Sequence, residues 1–154
     1  MKRAEALQPL SHQHHNSLMA CLLVKKGIAR QAKLSTLNDF LSKFFREDVE
    51  PHFEAEEKHL FPLLDQLKPS YGKILRSDHM LLRVLASRFI NQSASSDYLA
   101  SFATLLENHI RFEERLVFNF VQEHLDPTGQ ANLEKNLSGL SAKKCTDYPV
   151  KFWE

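Results

Sequence analysis

Glycine and proline are scarce in this chain, with four and six among 154 residues. So few turn formers argue against the many hairpins of an all-β fold and for long helices. Cysteine is scarcer still: Cys21 and Cys145 lie far apart and match no metal-binding or redox spacing. That argues against an iron–sulfur cluster or another thiolate-rich site, and reads as two plain thiols in a reducing compartment. No apolar run approaches the roughly 20 residues that a membrane span needs. The segment Met1 to Leu10 carries no apolar stretch of signal-peptide length. A cytoplasmic protein is the expectation. A formal net charge of +1 gives no electrostatic reason to expect nucleic acid or an anionic membrane as partner.

What remains is the composition of an ordinary globular protein, 43% hydrophobic and 25% charged, of a length that fits one domain. Apolar residues recur at helical spacing in four segments. The first is expected from Ser11 to Lys33, with Leu18, Leu22 and Ala29 on one side and Gly27 as a bend or early end. The second runs from Ser35, an N-cap candidate, to Gln66, with a kink expected at Pro51. A third covers Tyr71 to Gln92. After a polar turn at Ser93 to Asp97, a fourth runs from Tyr98 to His124 and is closed by Asp126-Pro127. Short connections between long helices imply antiparallel neighbours, so the expected fold is all-α, an up-down-up-down antiparallel four-helix bundle. The bundle is expected over residues 1–126. Residues 127–154 form a C-terminal tail with room for one short helix, and its aromatic end (Tyr148, Phe152, Trp153) would pack on the bundle or on a second copy in a homodimer.

The chain also echoes itself. His52-Phe-Glu-Ala-Glu-Glu-Lys-His-Leu-Phe61 aligns with His109-Ile-Arg-Phe-Glu-Glu-Arg-Leu-Val-Phe118 in the histidine, both glutamates, the basic residue and the last phenylalanine. Each pair His52/Glu56 and His109/Glu113 is four residues apart, so its members stack on one helix face, about 5–6 Å between Cβ atoms, and both pairs lie on apolar stripes. His79 shares a face with Leu75, Leu82 and Ala86, and His15 shares one with Leu18, Met19 and Leu22. A lone inward histidine is more often a hydrogen-bonded core residue than a ligand. An inward glutamate is different, because burying an unpaired carboxylate costs several kcal/mol (on the order of the desolvation of one ion). Lys58, Arg111 and Arg115 could pair with one such glutamate. Two echoed His-Glu pairs joined by two further inward histidines point instead to a cation. Imidazole and carboxylate without thiolate suit a first-row metal, and six ligands for one ion would leave no open position. Shared between two ions, with Glu56 and Glu113 as bridges, they leave room for an oxo or hydroxo group and an exogenous ligand.

These segments, with Leu10-Ser-His-Gln-His-His-Asn-Ser-Leu18 and Ser77-Asp-His-Met-Leu-Leu82, resemble the hemerythrin family in its HHE cation-binding form over about residues 10 to 124. The resemblance implies a non-haem di-iron centre, two iron ions with an oxo or hydroxo bridge, with His15, His52, His79 and His109 as terminal ligands and Glu56 and Glu113 bridging. His14 is the alternative to His15, whose His-x-x-Leu context matches that of His79. Hemerythrins proper carry a further histidine one turn from the third-helix ligand, where this chain has Leu75 and Arg83. Glu57, Glu114 and His59 read as outer groups. The leading functional expectation is sensing or handling of a small diatomic ligand, O2 or NO, or of redox state. The alternatives are a di-iron enzyme acting on peroxide or NO, iron delivery in cluster repair, and a bundle with structural zinc or manganese.

Overall fold

The computed structural model describes residues 1–154, and it is all-helical, without a strand. After a short 3-10 turn at Glu5–Leu7, helix α1 spans Gln8–Ala29. Its N-terminal boundary is set by Pro9, which fits a first helical turn because its missing N–H has no intrahelical partner there. The second run is built in pieces: α2 (Leu34–Phe44), a π turn (Phe45–Val49), α3 (Glu50–His59) and α4 (Phe61–Leu67). Helix α5 spans Pro69–Asn91. The last long run is α6 (Ser96–Phe112), a second π turn (Glu113–Val117) and α7 (Phe118–His124). Helix α8, Pro127–Leu137, follows, capped by the Asp126 carboxylate accepting from the Gly129 N–H. No helix is long and apolar enough to cross a membrane.

Several expectations change on contact with the structure. Ser35 is not an N-cap, because the helix already begins at Leu34. The start expected at Tyr98 moves to Ser96, where Ser95 caps the helix by accepting from the Tyr98 N–H. At Pro51 the π turn just ahead takes up the disturbance: the Glu50 N–H reaches back five residues to the Phe45 carbonyl. Gly27 does not end α1. A Cβ there would sit 2.6 Å from Cδ2 of Phe152 and 2.8 Å from Cδ2 of Leu37, so the glycine allows the tail and α2 to press against the helix.

The core has two apolar parts. One contains Ala20, Val24, Phe53, Leu82 and Leu106 and receives Phe152 of the tail. The other contains Leu10, Leu60, Leu75 and Val117 and receives Leu133 and Leu137 of α8. The aromatic end therefore packs on its own bundle, with Phe152 edge-on to Phe40 at 4.9 Å between ring centroids. Between the two apolar parts, every long run carries its buried histidine or glutamate: His14, His52, Glu56, His79, His109 and Glu113.

Candidate metal centre

Helix α1 buries Leu10, His14, Ser17, Cys21 and Val24, a seam at three- and four-residue spacing. Its small residues let neighbouring helices come close. Of the face chosen from the sequence, Leu18 and Met19 are partly buried against the core, but Leu22 is 45% exposed, and His15 is exposed with it. His14 therefore stands in the polar layer where His15 was expected. The other five expected residues, His52, Glu56, His79, His109 and Glu113, are brought together there with it.

The six form two groups that share both glutamates. His14 and His52 make one group with Glu56 and Glu113; His79 and His109 make the other with the same two carboxylates. In each group the four donor atoms lie within 4.8 Å of one another. His52 Nε2 is 3.2 Å and His79 Nε2 3.3 Å from Glu56 Oε1. Glu113 Oε1 is 2.7 Å from His109 Nε2 and 3.5 Å from His14 Nε2. None of these approaches is aligned as a hydrogen bond, so the Nε2 of all four histidines and all four carboxylate oxygens are buried without a partner.

The other ring nitrogen, Nδ1, faces outward. In His52 it lies 2.7 Å from Gln13 Oε1, in His79 2.7 Å from Glu57 Oε2, and in His109 2.9 Å from Asp78 Oδ2. In His14 it is 3.4 Å from Glu114 Oε1 and is not aligned for a hydrogen bond. An acceptor at Nδ1 holds the proton there and leaves Nε2 with its lone pair directed inward. These supports are braced in turn. Arg83 grips both Glu57 and Glu50, and Glu114 is held by Arg3 at 3.2 Å and by the Ser11 hydroxyl at 2.9 Å. Leu75 is buried in the apolar core, so neither position one turn from His79 adds a ligand. Phe61 packs on His79 and Phe118 on His14, repeating the echo.

Glu57 and Glu114 stand just outside the cluster, as expected, and Gln13 and Asp78, which the sequence did not single out, stand there with them. Each directly adjoins a member of the cluster: Gln13 and Asp78 precede His14 and His79, and Glu57 and Glu114 follow Glu56 and Glu113. The signal lay in those four neighbouring positions, two of them carboxylates already visible in the echo.

Burial and crowding split the protonation states. Burial, with the neighbouring Glu113 carboxylate adding to it, pushes the Glu56 carboxyl well above the usual range. Glu113 goes the other way: burial opposes its charge, but His109, Glu56 and His14 around it hold it well below the usual range. Burial lowers His52 well below its ordinary value and His79 to about 4. For His109 the burial penalty is outweighed by Glu113 and Asp78, which raise it to about 9. His14 is likewise raised, burial being overcome by Glu113 and Glu114.

The six residues fit a metal centre. Eight inward donor atoms without partners, each costing about 1–3 kcal/mol or more to leave unsatisfied, converge on two four-residue groups. The set is imidazole and carboxylate, as first-row ions prefer. The chain matches the family described as the Hemerythrin HHE cation binding domain over residues 6–121, and on that match it belongs to this family. No curated protein and no solved structure matches it. The match ends at residue 121, so α8 and the tail lie outside it.

Proposed function

We propose that this protein is a non-haem di-iron protein that senses or handles a small diatomic ligand, O2 or NO, or the redox state of its surroundings. The observation that carries the reading is the set of unpartnered inward atoms, divided between two groups with Glu56 and Glu113 in common. One ion cannot take all six side chains and keep an open position, whereas two ions bridged by two carboxylates can. Iron held this way supplies one-electron chemistry and an affinity for diatomic ligands.

The chain's own part is to fix and seal the site. Gln13, Glu57 and Asp78 orient three imidazoles. Phe53, stacked on His79 at 3.7 Å, and Phe118, stacked on His14 at 5.3 Å, wall the donors from bulk water. We read the long runs as an up-down-up-down bundle. Its support is the order in which each run meets the two apolar parts of the core, Leu10 before Ala20, Phe53 before Leu60, Leu75 before Leu82 and Leu106 before Val117. Two free thiols, Cys21 and Cys145, are consistent with a cytoplasmic setting.

The test is metal analysis of protein made with iron available and purified without chelators. About two iron atoms per chain are expected, with absorption that changes on exposing the reduced protein to O2 or NO. Iron near zero, or zinc or manganese in its place, refutes the di-iron reading.

A further inference from the structure

We propose that the two ion positions are inequivalent, that the His79–His109 position is the tighter one and fills first, and that Asp78 and Gln13 set the difference. The inference rests on the two-ion reading above. A ligand imidazole gives more electron density through Nε2 when a carboxylate draws on its Nδ1 proton than when a neutral amide does. At the His79–His109 position both Nδ1 atoms have carboxylate acceptors, Glu57 at 2.7 Å and Asp78 at 2.9 Å. At the His14–His52 position the acceptors are the neutral amide of Gln13 at 2.7 Å and Glu114 at a misaligned 3.4 Å.

The bracing cations do not account for this difference. Glu57 is shared with Arg83 and Glu114 with Arg3, so an arginine draws charge away on both sides. Asp78 has His109 as its ion-pair partner and no arginine or lysine. Its counterpart in the echoed arrangement is Gln13, also one residue before a clustered histidine and also supporting the histidine of the next long run. Gln13 is held in that role: its Nε2 donates to the Ser141 carbonyl of the tail at 3.0 Å, which leaves Oε1 for His52. One half of the centre thus has a carboxylate where the other has an amide.

The experiment titrates the metal-free full-length protein with Co(II), following ligand-field absorption and heat. Two ions should bind per chain in two steps, the first at least about tenfold tighter, the lower end of what outer ligand partners contribute. Repulsion between the ions alone also makes steps unequal, so the assignment is read from variants. Asp78→Asn, at a carboxylate 35% exposed, should weaken the first step by about 10–100-fold, and Gln13→Glu should tighten the second by a similar factor. Melting curves of both variants separate a folding defect from a step-specific one. Two equal steps in the native protein, a first step that ignores Asp78→Asn, or a Gln13→Glu variant in which the second step fails to tighten, overturn the inference and leave two-ion binding standing. Binding of one ion or none overturns the two-ion reading, and the inference with it.

Discussion

Removing the metal should lower the melting temperature, and the gap between loaded and metal-free protein should widen from pH 6.5 to pH 8.5. An ion bound only by the folded state at about 1,000 times its dissociation constant stabilises by about 4.1 kcal/mol. For a domain of this size, about 2–4 °C per kcal/mol applies, which gives a gap of about 8–16 °C. The pH dependence follows from the site. His109, buried beside Glu113 and Asp78, has its folded value raised to about 9. Protonated His109 therefore stabilises the metal-free fold fully below its ordinary value near 6.5, and this contribution is lost as pH rises through about 9. The bound ion needs the same nitrogen unprotonated. Between pH 7 and 9 its apparent affinity gains up to about tenfold per pH unit from this one displaced proton, about 1.4 kcal/mol each. His14 and Glu56, both raised, act in the same direction. Calorimetry of anaerobic iron-loaded and chelated samples, with circular dichroism at room temperature, checks this. Most helical signal should survive chelation, because both apolar parts of the core lie outside the site. Equal melting of the two forms, or a gap that narrows towards pH 8.5, refutes the reasoning.

Glu56→Ala and Glu113→Ala should each lose most of the metal, whereas His15→Ala should keep it, as metal analysis of purified variants will show; loss in His15→Ala would return that residue to the site. His14→Ala should lose metal from its own position, leaving about one ion per chain. Phe152→Ala should destabilise by about 3 kcal/mol, the low end for a buried phenylalanine, measured by urea denaturation. Gly27→Ala should also destabilise, by about 1 kcal/mol, because overpacking of about 1–3 kcal/mol exceeds the gain in helix propensity. In a Phe152→Ala background the Gly27 substitution should become less costly, since the ring 2.6 Å from the added Cβ is gone.

Much of the site was legible where the helix kept a regular period. His79 sits on a face whose members Leu75, Leu82 and Ala86 are all buried, and the His-x-x-x-Glu spacing brings each pair together. It was less legible where burial is done by small residues. The buried seam of α1 is Ser17, Ala20 and Cys21 as much as leucine, so hydrophobicity pointed to the neighbouring, partly buried face and to His15. The second π turn hid another detail. It widens the helix after Glu113, so Val117 and Phe118 turn inward and Leu116, three residues on, is 50% exposed. The tail's docking depended on Gly27 and Phe152, residues 125 positions apart by subtraction, and no local pattern reports such a contact. The two π turns that interrupt the second and fourth runs are likewise averaged over by periodicity.

The cross-bracing of the two echoed halves has a further consequence. Glu57, from the first half, meets His79 in the second at 2.7 Å, and Glu114, from the second, lies 3.4 Å from His14 in the first. Each half also lends one shared glutamate to the other's pair of histidines. A single half is therefore an unfinished object, but two identical copies related by a two-fold axis would complete each other. Identical copies must carry the same residue at equivalent places. Because the two halves are different stretches of one sequence, one can hold Gln13 where the other holds Asp78, and the two sides of the centre can diverge.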